Sequence, residues 1–330
     1  MIISRTPLRI SFFGGGTDYP EYIKDNPGAS LVTTINKYIY ITARWLPPFF
    51  DFKYRIVYSK VEDVDEIKYI QHPSVRETLK YLNIEDGIEV QPASDLPART
   101  GLGSSSCFTV GLLNALYSLK NINVPRKKIA SDAIYIEQKM CDDIVGCQDQ
   151  ISTCLGGLNH LKFNNKEWEA EKVSVSQQRL KELNNNLLLY FTGFSRNASE
   201  IAKHQVENIP KTEKYLKVMY EMVQRGVDII HNGTLKDFGY MLHDTWDIKR
   251  RLSDKISNTK IDCMYTKALS SGAIGGKLLG AGGGGFLLFY VEKQNQEKVR
   301  TALKGFLEIP FKFENTGTQI LINNEEDNGK

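Results

Sequence analysis

Pro97-Ala98-Arg99-Thr100-Gly101-Leu102-Gly103-Ser104-Ser105-Ser106 runs directly into an apolar stretch holding Val110, Leu112, Leu113, Leu116 and Leu119. That spacing predicts a buried helix over 103–119, opening straight out of a glycine turn. The first turn of a helix leaves backbone N–H groups without intrahelical partners and carries the positive end of the macrodipole. A helix that begins in this way is a ready anion site. Glycines let the backbone approach phosphate oxygens, and serine hydroxyls can donate to phosphate or ligate a magnesium ion. An ordinary serine N-cap is the plainer reading, but a cap needs one serine and no glycine cluster.

Upstream, residues 1–13 read as a strand that breaks at Gly14-Gly15-Gly16 and continues as Thr17-Asp18-Tyr19. Arg9 is a cation on an otherwise apolar strand, so it needs a carboxylate or phosphate partner. Asp18, just past the glycines, is placed to accept hydrogen bonds from hydroxyl groups. A tight turn beside a structural ion pair is the alternative. Downstream, Lys277-Leu278-Leu279-Gly280-Ala281-Gly282-Gly283-Gly284-Gly285-Phe286 is a third glycine-rich segment. Gly280-x-Gly282-x-x-Gly285 formally matches a dinucleotide fingerprint, but a strand follows where a helix is required. Leu278 after Lys277, with the wrong glycine spacing, also excludes a Walker A loop. A close-packed hairpin is the bland alternative.

Between these segments lie four carboxylates. Asp142 and Asp143 read as solvated surface or turn. Glu137 falls on a helix whose other residues look buried: Ile129, Ala133, Ile136 and Met140. Asp149 opens the helix that follows, where the macrodipole alone would favour an acid.

The rest of the chain alternates strands and helices. Strands are expected at 29–45, 55–59 and 87–91, and helices at 73–82, 125–140 and 148–154. The second half has a strand at 187–191, then helices near 197–208, 211–231, 234–251 and 259–271. Residues 275–280 and 286–291 form a hairpin, followed by a helix at 294–305, a strand at 317–322 and a polar tail. The pattern changes between 165 and 186. The basic runs 126–128 and 249–251 read as solvated helix faces.

Composition narrows the function. The 330 residues fit about two domains, and 41% apolar with 25% charged residues is ordinary for a globular chain. Lys and Arg exceed Asp and Glu by 42 − 39 = 3, so nucleic acid is not the default partner. Five cysteines without a C-x-x-C pair argue against a disulfide framework or zinc site and for buried thiols in a reducing cytosol. Arg5 and Arg9 interrupt the early apolar run, and Phe286–Val291 is too short to span a bilayer. A cytoplasmic protein without a membrane partner is expected. No G-x-S-x-G elbow is present, and His160, His204 and His243 stand in no triad context, so a serine hydrolase is disfavoured.

The three glycine-rich segments, in this order, resemble the three motifs of the GHMP small-molecule kinases. The middle segment matches the P-x-x-x-G-L-x-S-S core without a gap, and Arg9 stands nine residues before Asp18, as in the sugar kinases. Galactokinases carry Gly-Glu-His before Thr-Asp; here Gly14-Gly15-Gly16 replaces it, which argues against galactose. Residues 3–22, with Thr192-Gly193-Phe194-Ser195-Arg196 and 277–286, are most similar to D-glycero-D-manno-heptose 7-phosphate kinases. The resemblance implies an α+β fold of two domains with a cleft between them: a mixed α/β domain over 1–175 and an α+β domain over 186–330.

It also implies chemistry: ATP and Mg2+, and an acceptor that is a sugar phosphate phosphorylated at its anomeric hydroxyl on the way to nucleotide-activated heptoses. Ser105 (or Ser104) and Glu137 would hold the magnesium. Pro97 and the backbone from Gly101 through Leu102, Gly103, Ser104 and Ser105 to Ser106 would cradle the nucleotide phosphates. Asp149 would contact the acceptor hydroxyl, paired with Arg9. Gly15, Gly16, Thr17 and Asp18 would face the sugar, and Gly282 and Gly283 would support the site. Arg196 is the first candidate for a second phosphate on the sugar, ahead of Lys203, Lys249 and Arg99. The resemblance leaves room for a homodimer. An unphosphorylated sugar as substrate, or a non-catalytic sensor on the same fold, are the competing readings.

Overall fold

Strand β1 (Ile2–Phe13) is buried along nearly its whole length because it lies between two neighbours and under helices. The computed structural model describes residues 1–194 and 198–323. After β1 come α1 (Pro20–Ile23), β2 (Gly28–Trp45), β3 (Tyr54–Val57), β4 (Val61–Val64), α2 (Pro73–Tyr81) and β5 (Ile88–Ser94). Then follow α3 (Ser104–Leu119), α4 (Arg126–Tyr135), a π-helical turn (Ile136–Met140), α5 (Gln148–Leu155), β6 (Asn159–Phe163) and β7 (Trp168–Lys172). The second half runs α6 (Gln177–Asn185), β8 (Leu187–Phe191), α7 (Ala198–Glu207), α8 (Ile209–Asn232), α9 (Leu235–Lys249) and α10 (Thr259–Ser270). It closes with β9 (Gly275–Leu278), β10 (Phe286–Tyr290), α11 (Gln296–Ala302), β11 (Leu307–Glu308), β12 (Phe313–Glu314) and β13 (Gln319–Asn323).

Two sheets organise these elements. The larger has nine strands along the path β13-β1-β2-β5-β3-β4, with β6 and β12 also on the long β2 and β7 on β6. The smaller is antiparallel, in the order β11-β8-β10-β9. Phe286–Tyr290 is buried at every residue, as befits a central strand read from a short continuous apolar run. The expected hairpin is present, with Leu287 opposite Leu278 across β9 and β10.

The two sheets share a core. Phe12 and Phe13 at the end of β1 meet Phe238 of α9 edge-on, with centroids 5.1 and 5.0 Å apart. A second cluster, around Trp246, Met219 and Phe289, lies under the smaller sheet. The change of pattern between 165 and 186 falls where the chain leaves β7 for α6. One connection crosses back: Ile2, Ile3, Ser4 and Arg5 pair with β13, and Ile35 pairs with Phe313 of β12. The last strands therefore complete the first sheet, which a division at 175 and 186 assigns to the second unit. Among the described residues, no helix is long and apolar enough to cross a membrane.

Two expectations change in detail. The stretch read as one helix over 125–140 is α4 followed by the π turn that carries Glu137. Lys249, read as part of a solvated face, is only 7% exposed, whereas Arg250 and Arg251 beside it are exposed. Cys107, Cys147 and Cys154 are buried free thiols, as expected, whereas Cys141 is half-buried and Cys263 exposed.

Candidate active site

Helix α3 starts without a side-chain cap, after Gly103 in a left-handed conformation (φ +73°). Its first-turn N–H groups therefore point into the loop that precedes it. The loop is shaped from within: Thr100 Oγ1 donates to the Pro97 carbonyl at 2.8 Å, and the Arg99 amide donates to Ser104 Oγ at 3.1 Å. Arg9 fastens it to β1, its amide donating to Leu102 O at 3.1 Å and its Nη1 to Gly101 O at 2.7 Å.

The third glycine segment backs this loop directly. Gly101 and Gly280 both have positive φ (+85° and +73°), and a Cβ on either would fall inside the other strand of the contact, against Leu279 O or Gly101 Cα. The expected result of Gly280→Ala is thus a displaced phosphate loop, with binding of a non-hydrolysable ATP analogue weakened by about tenfold or more. Gly305→Ala, at φ +107° with no neighbour within 4 Å, is the control for backbone strain alone. It should lower Tm without changing nucleotide affinity; equal losses in the two variants would refute the contact. Gly282 and Gly283, expected to support the site from the substrate side, rest on Ile256, whose carbonyl accepts from the Gly283 amide at 2.8 Å.

Three consecutive residues of α5 reach the three charged groups of the site. Successive helix positions are about 100° apart, so Gln148, Asp149 and Gln150 fan outwards. Gln148 holds Asp18, through its amide at 3.2 Å and Nε2 at 3.0 Å. Asp149 accepts two bonds from Arg9, Oδ1 from Nε at 2.7 Å and Oδ2 from Nη2 at 2.8 Å. Gln150 Nε2 donates to Glu137 at 2.5 Å, and Ser106 Oγ donates to the same oxygen at 2.8 Å. The position a Cβ would take at Gly103 is 3.2 Å from Asp149 Oδ2, so this carboxylate lies against the head of α3. Asp149 is 24% exposed and Arg9 only 5%, which leaves the carboxylate as the accessible half of the pair.

Burial sets the electrostatics. Asp18 is pushed up to about 6, first by desolvation and then by the neighbouring Asp149 charge. Gly146 leaves the space its carboxylate fills, since a Cβ there would fall on it. Glu137 is pushed up to about 7 by burial, against the hydrogen bonds from Ser106 and Gln150 that favour its ionised form. Glu137 Oε1 and Gln150 Oε1 are both buried without a hydrogen-bond partner. Two orphaned acceptors in one cluster, beside the serines of α3, fit a hard cation. Among the described residues no three His, Cys, Asp or Glu side chains cluster as a metal cage. A magnesium ion here would take one carboxylate, a hydroxyl and phosphate oxygens, as that ion prefers.

Not every expected residue is where the motif suggested. The hydroxyl on Glu137 belongs to Ser106, because helical rotation turns Ser105 outward and exposes it. Thr17 is fully buried, its hydroxyl engaged with Gly14 O, Ala29 O and the Ala29 amide. Gly16 donates its amide to Asp18 Oδ1 at 3.3 Å, while Gly15 stays half-exposed next to it. Lys203 and Arg99 are exposed, and Arg196 lies outside the described residues. Gln148 and Gln150 carried no expectation; the available signal was polar residues flanking Asp149 on a short helix whose neighbours are apolar.

A glycine-lined loop at an uncapped helix start, a second glycine loop pressed against it, and an arginine-held carboxylate at its mouth define a phosphotransferase acting on a small molecule. The chain belongs to the GHMP kinases. Residues 68–157 match the GHMP kinases N terminal domain and residues 227–309 the GHMP kinases C terminal domain. The D-glycero-alpha-D-manno-heptose 7-phosphate kinase of Campylobacter jejuni is 30% identical, over 92% of this chain and 93% of the relative. A D-glycero-D-manno-heptose 1-phosphate kinase from Bacteroides thetaiotaomicron has the same fold, with TM-score 0.81, 22% identity and coverage of 98% and 99% of the two chains. Lactococcus lactis galactokinase with galactose also superposes, at TM-score 0.73 and 18% identity over 96% of this chain and 94% of the other. This protein is accordingly an ATP-dependent sugar kinase of the GHMP family, similar to the heptose phosphate kinases.

Proposed function

We propose that this kinase transfers the γ-phosphoryl group of ATP to the anomeric hydroxyl of D-glycero-D-manno-heptose 7-phosphate, giving the 1,7-bisphosphate. The observation that carries the reading is the Asp149 carboxylate, held by Arg9 and seated against Gly103 where α3 begins. It brings a proton acceptor to the end of the phosphate-binding loop. The choice of heptose rests on the Campylobacter jejuni relative and on Gly14-Gly15-Gly16 in place of the galactokinase residues.

Phosphoryl transfer asks for positioning and charge neutralisation more than for covalent chemistry. Asp149 accepts the proton of the anomeric O–H as that oxygen bonds to the γ-phosphorus, and the bond to the bridging oxygen breaks to release ADP. An anomeric hydroxyl is more acidic than an ordinary alcohol, so orientation does much of the work. Arg9 holds Asp149 in place and adds positive charge beside the transferring group. Glu137 with the hydroxyl of Ser106, in place of the Ser105 or Ser104 that the motif suggests, would hold Mg2+, which supplies neutralisation of the phosphate charge when bound. Asp18, with three of about four acceptor sites already taken by Gln148 and Gly16, has one left for a sugar hydroxyl. Arg196 remains the proposed partner of the 7-phosphate.

This role for Asp18 has a pH signature. Its carboxylate takes a proton as pH falls through about 6, so the acceptor for the sugar is lost on the acid side. The expected result is a kcat/KM for sugar that falls on the acid side in two overlapping steps, near 7 from Glu137 and near 6 from Asp18. Asp18→Asn should remove the lower step while lowering kcat/KM throughout; a profile that keeps both steps in the variant would remove Asp18 from the sugar site.

The function itself is tested by ADP release over a panel of heptose and hexose phosphates and their unphosphorylated forms, with phosphorus NMR of the product. Turnover confined to the heptose 7-phosphate, with a new anomeric phosphate signal, is the expected outcome. Turnover on unphosphorylated sugars would refute the 7-phosphate assignment and release Arg196 from its role. Bound ATP without turnover on any sugar would favour the sensor.

A further inference from the structure

Two fully enclosed lysines meet beneath the third glycine loop, and the chemistry described so far uses neither. Lys249 ends α9 and is 7% exposed; Lys277 lies in β9 and is 2% exposed. Lys249 Nζ donates to the carbonyls of Leu278, at 3.0 Å, and Gly280. Lys277 Nζ donates to Phe12 O, at 2.7 Å, near the end of β1. Among the described residues both ammonium groups therefore bond only to backbone carbonyls, and Lys277 keeps two N–H donors unspent there. A buried charge is ordinarily paired with an opposite one. Here the charged groups that bear on Lys249 and Lys277 are Arg9 of β1 and, for Lys277, Lys249 itself, all cations.

The cluster is joined to the phosphate loop by contact. Gly280, which accepts from Lys249, packs on Gly101, and Gly101 O accepts from Arg9. Asp149 answers one of the three cations and leaves two without a counterion. Burial and Arg9 push the Lys249 ammonium down to about 7, and burial, Lys249 and Arg9 hold Lys277 well below the usual lysine range. An anion on the neighbouring loop favours the protonated form of both lysines, so positive charge is held in low dielectric, where it acts over several ångströms, as that anion docks.

We propose that Lys249 and Lys277 are positioning residues for the nucleotide, a buried cationic floor whose missing counterion is the polyphosphate docked at Gly101–Ser106. The proposal rests on the ATP-dependent reading and not on which sugar is phosphorylated. Its ligand class is a nucleoside triphosphate, recognised through its charge and not through its base. The two lysines are expected to matter more for a triphosphate than for a diphosphate, and not at all for the nucleoside.

The test is calorimetric binding of AMP-PNP, ADP and adenosine to the full chain without sugar, at low and high salt. Lys249→Met keeps the length and apolar bulk of the side chain and removes the charge. AMP-PNP affinity should fall by about tenfold or more, ADP affinity by less, and adenosine affinity should not change. The salt dependence of AMP-PNP binding should become shallower, and Lys249→Arg should restore most of the affinity. An AMP-PNP to adenosine affinity ratio equal to that of the unsubstituted chain would overturn the proposal, as would parallel losses for all three ligands, the mark of a packing role. Lys277→Met gives the same reading if Lys249→Met does not fold. Should neither fold, Lys249→Arg decides: a ratio within threefold of the unsubstituted chain supports the proposal, and a tenfold fall overturns it. A sugar panel without turnover leaves these measurements intact, so the two readings fail separately.

Discussion

Asp149→Asn is expected to lower turnover by about 10²–10⁴-fold, the usual worth of a positioned proton acceptor. The substitution is nearly isosteric, so the fan of α5 and the loop before α3 should survive. Asn keeps one acceptor for Arg9 but cannot accept both Nε and Nη2 as the carboxylate does at 2.7 and 2.8 Å. It also leaves the guanidinium, 5% exposed, without its counterion. Because Asp149 itself is 24% exposed, water can repair part of that loss, and about 1–3 kcal/mol of stability is expected to go. The discriminating pair of measurements is ADP release with heptose 7-phosphate and AMP-PNP binding without it. Turnover should collapse while nucleotide affinity stays within a few-fold. Near-normal turnover in a folded variant would leave the carboxylate as a structural counterion to Arg9 and return the proton to solvent.

Much of this site is legible in the sequence because glycine carries a local message. Gly101-Leu102-Gly103 before three serines and an apolar helix can be read without any partner in view, since free N–H groups follow from helix geometry alone. Arg9 is legible for a different reason: a cation on an apolar strand must be answered, although the strand does not say by whom. What cannot be read is set by tertiary contact. Gln148 and Gln150 look like ordinary polar residues at a helix start, yet each secures a carboxylate from another element, Asp18 or Glu137. Lys249 follows the pattern of a basic helix end, and only the packing of α9 under Gly280 turns it inward. Ser105 and Ser106 differ by one helical step, and which one meets Glu137 depends on how α3 is rotated against the π turn. The return of β13 to β1 is likewise invisible locally, because an amphipathic last strand fits either sheet.

The dependence of Asp149 on its partner yields the sharpest expectation. Arg9 spends Nε and Nη2 on Asp149, Nη1 on Gly101 O and its amide on Leu102 O. One side chain thus fixes both the proton acceptor and the loop that receives the phosphates. Arg9→Met should lower kcat by about 10²–10³-fold, comparable with losing a preorganised donor at a developing charge. Arg9→Lys should recover little of it, because a point charge cannot span two carboxylate oxygens and a carbonyl as a fork does. If the pair acts as one unit, the losses cannot multiply: once Arg9 is gone, Asp149 is already misplaced. The Arg9→Met, Asp149→Asn double variant is therefore expected within about tenfold of the worse single variant, well short of the product of the two effects. Steady-state ADP release for the four proteins measures this directly. Multiplicative losses would mean that Arg9 and Asp149 act on the reaction independently, with Arg9 serving the phosphates alone and their ion pair contributing only to the fold.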